Sequence, residues 1–237
     1  MTLSCFRKPR CRATLSKVSS RPQDPSSRTT LLNAAARLIA ARGPQSLSAW
    51  RLAAATGIST MAVYAYFGSM NEIVREIARD GFKRLEGLFL LVQQTDDPVA
   101  DMAMLGRVYH YNAMTNEHAF AVMFGSANLA GFALTDEDRQ HGRYTLRAVV
   151  ECAQRCVAAN RFTPNDPVLI AHHMWIGVHG TTGLELGRYL VPPYDGTSFL
   201  EPQLVSLMLG AGDERARAEA SVAASLHRFS SDFGPAL

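Results

Sequence analysis

Apolar residues recur along this chain at spacings of three and four, the period of helices buried on one face. Leu31, Ala35, Leu38 and Ile39 predict a first helix over Thr29 to Arg42, ended by Gly43-Pro44. Ile73, Ile77, Phe82, Leu85 and Leu88 carry a fourth helix from Ser69 to about Val92, with Ser69-x-x-Glu72 as a capping box. Thr95-Asp96-Asp97-Pro98 breaks the chain and starts a helix over Val99 to Met114, with Met102, Leu105, Val108 and Tyr109 on one side. Ala119 to Phe124 is a short apolar piece, and Gly125 to Leu134 is expected to be irregular. Further helices follow from Asp136 to about Asn160, from Asp166 to Leu190, from Phe199 to Leu209 and from about Asp213 to Phe229. No stretch shows convincing β-alternation and no internal repeat emerges, so the predicted class is all-α.

The stretch from Ser46 to Met70 organises the rest. Ser48 is placed to cap a short helix whose apolar face is Leu52 and Ala53. Thr56-Gly57 breaks that helix, glycine accepting a positive φ without a Cβ clash. Ile58 anchors the turn, Ser59 is a second N-cap, and a second short helix runs through Met61, Ala62, Val63, Tyr64 and Phe67. Two short helices joined by a glycine turn form a helix-turn-helix. The second helix has no acidic side chain, which suits a helix pressed among phosphates; on spacing alone, a core helical hairpin remains the alternative.

Thr29 to Ile77 resembles the N-terminal domain of the TetR family of transcriptional regulators. The matching residues are Ala35-Ala36, Leu38-Ile39, Gly43, Leu47-Ser48, Leu52-Ala53, Gly57-Ile58-Ser59, Val63-Tyr64, Tyr66-Phe67 and Ser69. Met70 departs from the pattern, standing where the family usually has a phosphate-contacting lysine. Trp175…His179-Gly180 resembles the "WHG" signature of one C-terminal domain class of such regulators. The resemblance implies a three-helix DNA-binding domain linked by a long helix to a helical ligand-binding and dimerisation domain. The expected organisation is an arm over residues 1–27, a DNA-binding domain over 28–78 and an effector-binding and dimerisation domain over 79–237.

Charge adds an asymmetry. Arg7, Lys8, Arg10, Arg12, Lys17, Arg21 and Arg28 face Asp24 alone in the first 28 residues, within an overall charge of +3. This Ser-, Arg- and Pro-containing stretch reads as a flexible basic arm. It either meets phosphates or a minor groove, or is a solvated leader. No apolar run is long enough to span a membrane and the N-terminus lacks an apolar signal core, so a cytoplasmic protein is expected. Cys152 and Cys156, one turn apart, are expected to be reduced, and Cys5 and Cys11 lack zinc partners.

Candidate DNA contacts are Thr60, Met61, Ala62 and Tyr64 in the major groove and Ser48, Arg51, Tyr64 and Ser69 on phosphates. Ser59 and Tyr66 flank them, and Trp50 is expected against the sugar-phosphate backbone or the arm. Tyr109, Met114, Phe124, Met174 and Trp175 are candidates for an apolar effector cavity, or else plain core. His179 is a buried, hydrogen-bonded histidine or points at the effector. His172 and His179 are two turns apart, too far to share a metal ion unaided. Gly177, Gly180, Gly183 and Gly187 suggest close helix approach, with a homodimer interface the natural candidate. Nucleotide-binding and hydrolase motifs are missing, so neither enzyme activity nor a cofactor is expected. The function expected is a homodimeric repressor released from a palindromic double-stranded DNA operator by a small-molecule effector. The alternative is a small-molecule-binding helical protein that has lost specific operator binding.

Overall fold

Every α-helix start with a described cap borrows a side-chain oxygen to satisfy amides that a helix leaves bare. A computed structural model describes residues 25–124, 134–194 and 196–234. Among these lie ten α-helices and a 3-10 turn, Pro44–Ser46. The expected contents of residues 1–24 and 125–133, the basic arm and the irregular stretch, fall outside the described residues.

Four helices build the head: α1 (Pro25–Arg42), α2 (Ala49–Thr56), α3 (Thr60–Phe67) and α4 (Met70–Leu90). Helix α1 starts four residues before the expected Thr29, because Pro25 pre-sets the first helical φ. Arg28, counted with the basic arm, therefore sits on α1, where it pairs with Glu76 of α4 and lies 5.9 Å over the Phe67 ring. Leu31, Ala35, Leu52, Val63 and Ile73 are fully buried at the centre. Gly57 takes φ 72 at the end of α2, as the turn requires. At α4 only half of the expected capping box forms: Ser69 accepts from the Glu72 amide. The Glu72 carboxylate turns instead to Arg75 and Arg79, which offer charge-assisted bonds at 3.3 and 2.8 Å.

The body comprises α5 (Pro98–Thr115), α6 (Glu117–Phe124), α7 (Asp136–Ala158), α8 (Pro167–Leu186), α9 (Gly196–Gly210) and α10 (Arg215–Phe233). Helix α8 stops at Leu186, short of the expected Leu190, since Gly187 caps it and Arg188 turns left-handed at φ 57. Helix α9 starts at Gly196 rather than Phe199. Ion pairs with at least one buried partner tie the body together: Arg107 to Glu201 across α5 and α9, Arg161 to Asp213 at 2.7 Å, and Asp101 to both Arg155 and Arg228. Cys152 and Cys156 are free buried thiols. Among the described residues, no helix is long and apolar enough to cross a membrane.

The glycines of α8 fall into two kinds. Gly177 faces inward within the same chain, where a Cβ would meet Leu207 of α9 at 2.8 Å. A Cβ on Gly180 or Gly183 would meet nothing within 4 Å. Beside them Ile176 and Leu184 are exposed on the outer side of α8.

Head and body share two helices. The first half of α4 packs in the head core through Ile73, Val74 and Ile77, and its second half reaches the body through Leu85 and Phe89. The expected boundary at residue 78 thus falls inside one continuous helix. On α6, Ala119 and Val122 pack on the head core while Phe120 faces the body core.

Candidate nucleic-acid interface and internal cavity

The candidate reading face is built by two turns of helix that bury one side and bare the other. Val63 and Phe67 hold α3 in the head core, four residues apart. Met61 (82% exposed) and Tyr64 (53%) stand on the outer side with Ser59 and Ala65, while Thr60 and Ala62 are half-buried at its edge. Ser59 caps α3 by accepting from the Ala62 amide at 3.2 Å. Trp50 is 73% exposed at the start of α2. The next residue, Arg51, is also exposed, with Nη1 donating to the Ser46 carbonyl at 3.0 Å. Ser48 caps α2 through the Arg51 amide at 3.3 Å, and Ser69 is exposed at the start of α4. Tyr66 differs from its neighbours: it is half-buried against the head core beside Phe67. Met70 is also half-buried there. Large apolar side chains normally seek the core, so three of them in the open on one short helix pair mark a face built for contact. Sequence reasoning passed over Ala65, which the i+4 spacing from Met61 would have found.

The body contains a cavity of about 690 Å³. Helix α4 contributes Phe82, Leu85 and Phe89, and α5 contributes Met102, Leu105 and Tyr109. Met123 and Phe124 enter from α6, Met174, Trp175 and Val178 from α8, and Leu204 and Leu207 from α9. Of the predicted cavity residues, Tyr109, Phe124, Met174 and Trp175 line it. Met114 is outside the lining: five residues beyond Tyr109 on α5 it is rotated away by about 140°. His179 stands behind the wall, its Nδ1 2.7 Å from the Tyr109 hydroxyl and its ring 4.9 Å from that of Phe124. Burial pushes its pKa below the ordinary histidine value, so the neutral ring is favoured near pH 7, and it shares a hydrogen bond with the Tyr109 hydroxyl. Burial raises the Tyr109 pKa, and the Trp175 indole N–H donates a long bond to the same hydroxyl at 3.4 Å. His172 lines the cavity with Nδ1 2.7 Å from the Val168 carbonyl, whereas His173 is exposed. Among the described residues, no group of three or more His, Cys, Asp or Glu is placed to hold a metal ion.

The wall from α7 was not foreseen. Arg139, Gly142, Arg143, Leu146 and Val149 line the cavity at intervals of three and four. That spacing was readable in the sequence, although nothing in it says that the face meets a void.

Between cavity and head lies an ionic junction. Asp138, fully buried in the first turn of α7, closes a capping box with Thr135. Its carboxylate accepts from Arg75 Nε at 2.8 Å and Arg79 Nε at 3.0 Å, both on α4. Burial opposes its ionisation, but the Thr135 amide and then the Arg75 guanidinium outweigh this, and its pKa falls to about 2.

A helix-turn-helix head baring one helix face, joined through shared helices to a hollow helical body, defines a DNA-binding regulator of the one-component type. A model described as "Bacterial regulatory proteins, tetR family" matches residues 31–77, and one described as "Tetracyclin repressor-like, C-terminal domain" matches residues 102–207. The chain belongs to the TetR family of transcriptional regulators. Similar solved structures include a protein of unknown function from a Rhodococcus species, 22% identical with a TM-score of 0.66, covering 80% of this chain and 97% of that one. The TetR family transcriptional regulator PfmR from Thermus thermophilus is 21% identical with a TM-score of 0.63, covering 78% and 99%. AibR, in complex with isovaleryl coenzyme A and operator DNA, is 18% identical with a TM-score of 0.61, covering 77% and 98%. No curated protein matches the chain by sequence.

Proposed function

We propose that this regulator is a homodimeric repressor, working in the cytoplasm, that leaves a palindromic operator when a small molecule occupies the body cavity. One observation carries the reading: the cavity wall includes Phe82, Leu85, Met123 and Phe124, on the two helices that also pack in the head core. A ligand displacing those side chains moves α4 and α6, and with them α3. The ligand shifts the population only by its differential affinity for the two arrangements. The Asp138 junction with Arg75 and Arg79 is the lock between α7 and α4 that such a shift loosens or resets. AibR, whose structure holds both an acyl coenzyme A and operator DNA, is a precedent in fold for the two occupancies.

On the DNA side, Met61, Ala62 and Tyr64 meet base edges and thymine methyls, with Thr60 on a base or phosphate. Ser48, Arg51 and Ser69 fix the register on phosphates, and Trp50 packs on the sugar-phosphate backbone. The exposed side of α8, with Ile176 and Leu184 flanking the open Gly180 and Gly183, is where a second copy approaches closely.

The test is fluorescence anisotropy of the full chain on labelled duplexes tiling the DNA upstream of its own gene. Tight binding to one near-palindromic site, two protomers per duplex, is expected. Tyr64→Ala should weaken it by about 10- to 100-fold, the worth of a good base contact, with unchanged melting of the protein. Equal, weak, salt-sensitive binding to every duplex would favour a ligand-binding protein without a specific operator.

A further inference from the structure

The cavity's polar groups are unevenly distributed, and that distribution specifies a ligand. Through most of the wall the side chains are aliphatic or aromatic, and the few polar ones are already engaged. Thr145 Oγ1 donates to the Gly142 carbonyl at 2.7 Å. The Tyr109 hydroxyl is held by His179 and Trp175, and His172 by the Val168 carbonyl. Apart from His172 Nε2, an unpaired polar group on the body of a ligand would find few partners there and would carry much of its desolvation cost.

Charge enters the lining at one end only. Arg139 and Arg143, one helical turn apart on α7, are both exposed and both among the lining residues, and no aspartate or glutamate is among the described lining residues. Arg139 Nη1 contacts Asp136, an exposed pair of little energetic weight, at 3.0 Å. Arg143 Nη1 donates to the neutral Gln140 amide oxygen at 3.0 Å, and among the described residues no carboxylate pairs with it. A guanidinium fork beside an apolar chamber is matched by a planar carboxylate on an apolar chain. A volume of about 690 Å³ lies within the range that takes drug-sized ligands.

We propose that the cavity binds a monoanionic amphiphile, an aliphatic or aryl-aliphatic carboxylic acid. The chain lies against Leu105, Trp175 and Leu204, and the carboxylate is held by Arg143 with Arg139 beside it. This deepens, and rests on, the reading of the cavity as the effector site.

The test is isothermal titration calorimetry of the full-length protein with decanoate and with decan-1-ol at low salt. Decanoate should bind at least about tenfold more tightly than the alcohol. In the double variant Arg139→Gln/Arg143→Gln, both positions being exposed and away from the core, the two ligands should bind equally, at the alcohol's original affinity. Arg143→Lys should retain a reduced preference for the acid. Equal or tighter binding of the alcohol by the unaltered protein, an acid preference surviving the double substitution, or binding of neither ligand would each overturn the proposal. Adding decanoate to the operator complex separates the two readings. Binding without release defeats the effector reading and leaves the ligand chemistry standing. Release by the alcohol, with no acid preference, does the reverse.

Discussion

The head and the body solve the same packing problem in opposite ways. In the head, α1 and α2 bury alanines such as Ala34, Ala35 and Ala49, and Leu31, Leu52 and Val63 close the core completely. In the body, large side chains from α4 to α9 surround open space instead of filling it. The head puts apolar groups outward at Trp50, Met61 and Tyr64, while the body hides its own around the void. Close packing gives one rigid arrangement, because each side chain is fixed by its neighbours. A lined void forgoes part of that contact energy and leaves room for a second arrangement. The molecule therefore pairs a close-packed head with a body that has room for a second arrangement.

The largest effect that tests this contrast is a matched pair of truncations. Leu52→Ala in the head should cost about 3–5 kcal/mol, since the surroundings cannot collapse. Leu105→Ala on the cavity wall should cost about 1–2 kcal/mol, because one side of Leu105 already faces space. Urea denaturation of both variants measures the difference; equal losses would mean that the body is as tightly packed as the head.

Next in size is Asp138→Asn, which leaves Arg75 and Arg79 without their buried partner. A loss of about 2–3 kcal/mol is expected. The folded pKa of Asp138, about 2, lies below its unfolded value. The carboxylate's contribution is thus complete above about pH 5 and disappears as pH falls from about 4 towards 2. Melting temperatures of the two proteins should differ by a constant amount at neutral pH and converge in acid. A gap that persists at pH 2 would assign the loss to altered packing and not to the charge.

A smaller effect comes from His179. Its folded pKa is lowered by burial, so the folded state prefers the neutral ring. That preference contributes fully above the unfolded pKa of about 6.5 and fades as pH drops through the lower folded value. Tyr109→Phe removes the hydroxyl partner and should cost about 1 kcal/mol near pH 7. Nuclear magnetic resonance titration of the His179 ring gives the direct check, a midpoint at or above 6.5 counting against a buried neutral ring. Smallest of all is Met70→Lys, which should strengthen operator binding a few-fold and steepen its salt dependence by about one counterion. No change in the salt slope would place residue 70 away from phosphate.

The head was legible because its signals are local. Ser48, Gly57, Ser59 and Ser69 each act within a few residues of their place in sequence, and the resemblance over Thr29–Ile77 rests on the same positions. Helix lengths in the body were equally readable from period, with errors at termini such as Leu186, where Gly187 and Arg188 end the helix before the expected Leu190. The cavity was only half legible. Tyr109, Phe124, Met174 and Trp175 look the same in sequence whether they pack on each other or surround a void. Met114 shows the limit of that inference, since it has the right chemistry on the wrong side of α5. Arg75 and Arg79 find Asp138 about sixty residues away, a pairing no local pattern encodes.

The distribution of tryptophan has a practical consequence. The chain has two, Trp50 on the reading face and Trp175 in the cavity wall. Each end of the molecule thus carries its own intrinsic fluorophore. Trp50→Phe leaves emission that reports filling of the cavity, and Trp175→Phe leaves emission that reports the DNA face. Stopped-flow traces of the two single-tryptophan proteins, mixed with the same ligand on the same duplex, would time the two events against each other. If the cavity controls DNA binding as proposed, the lag between them is the time the signal takes to cross from α8 to α2.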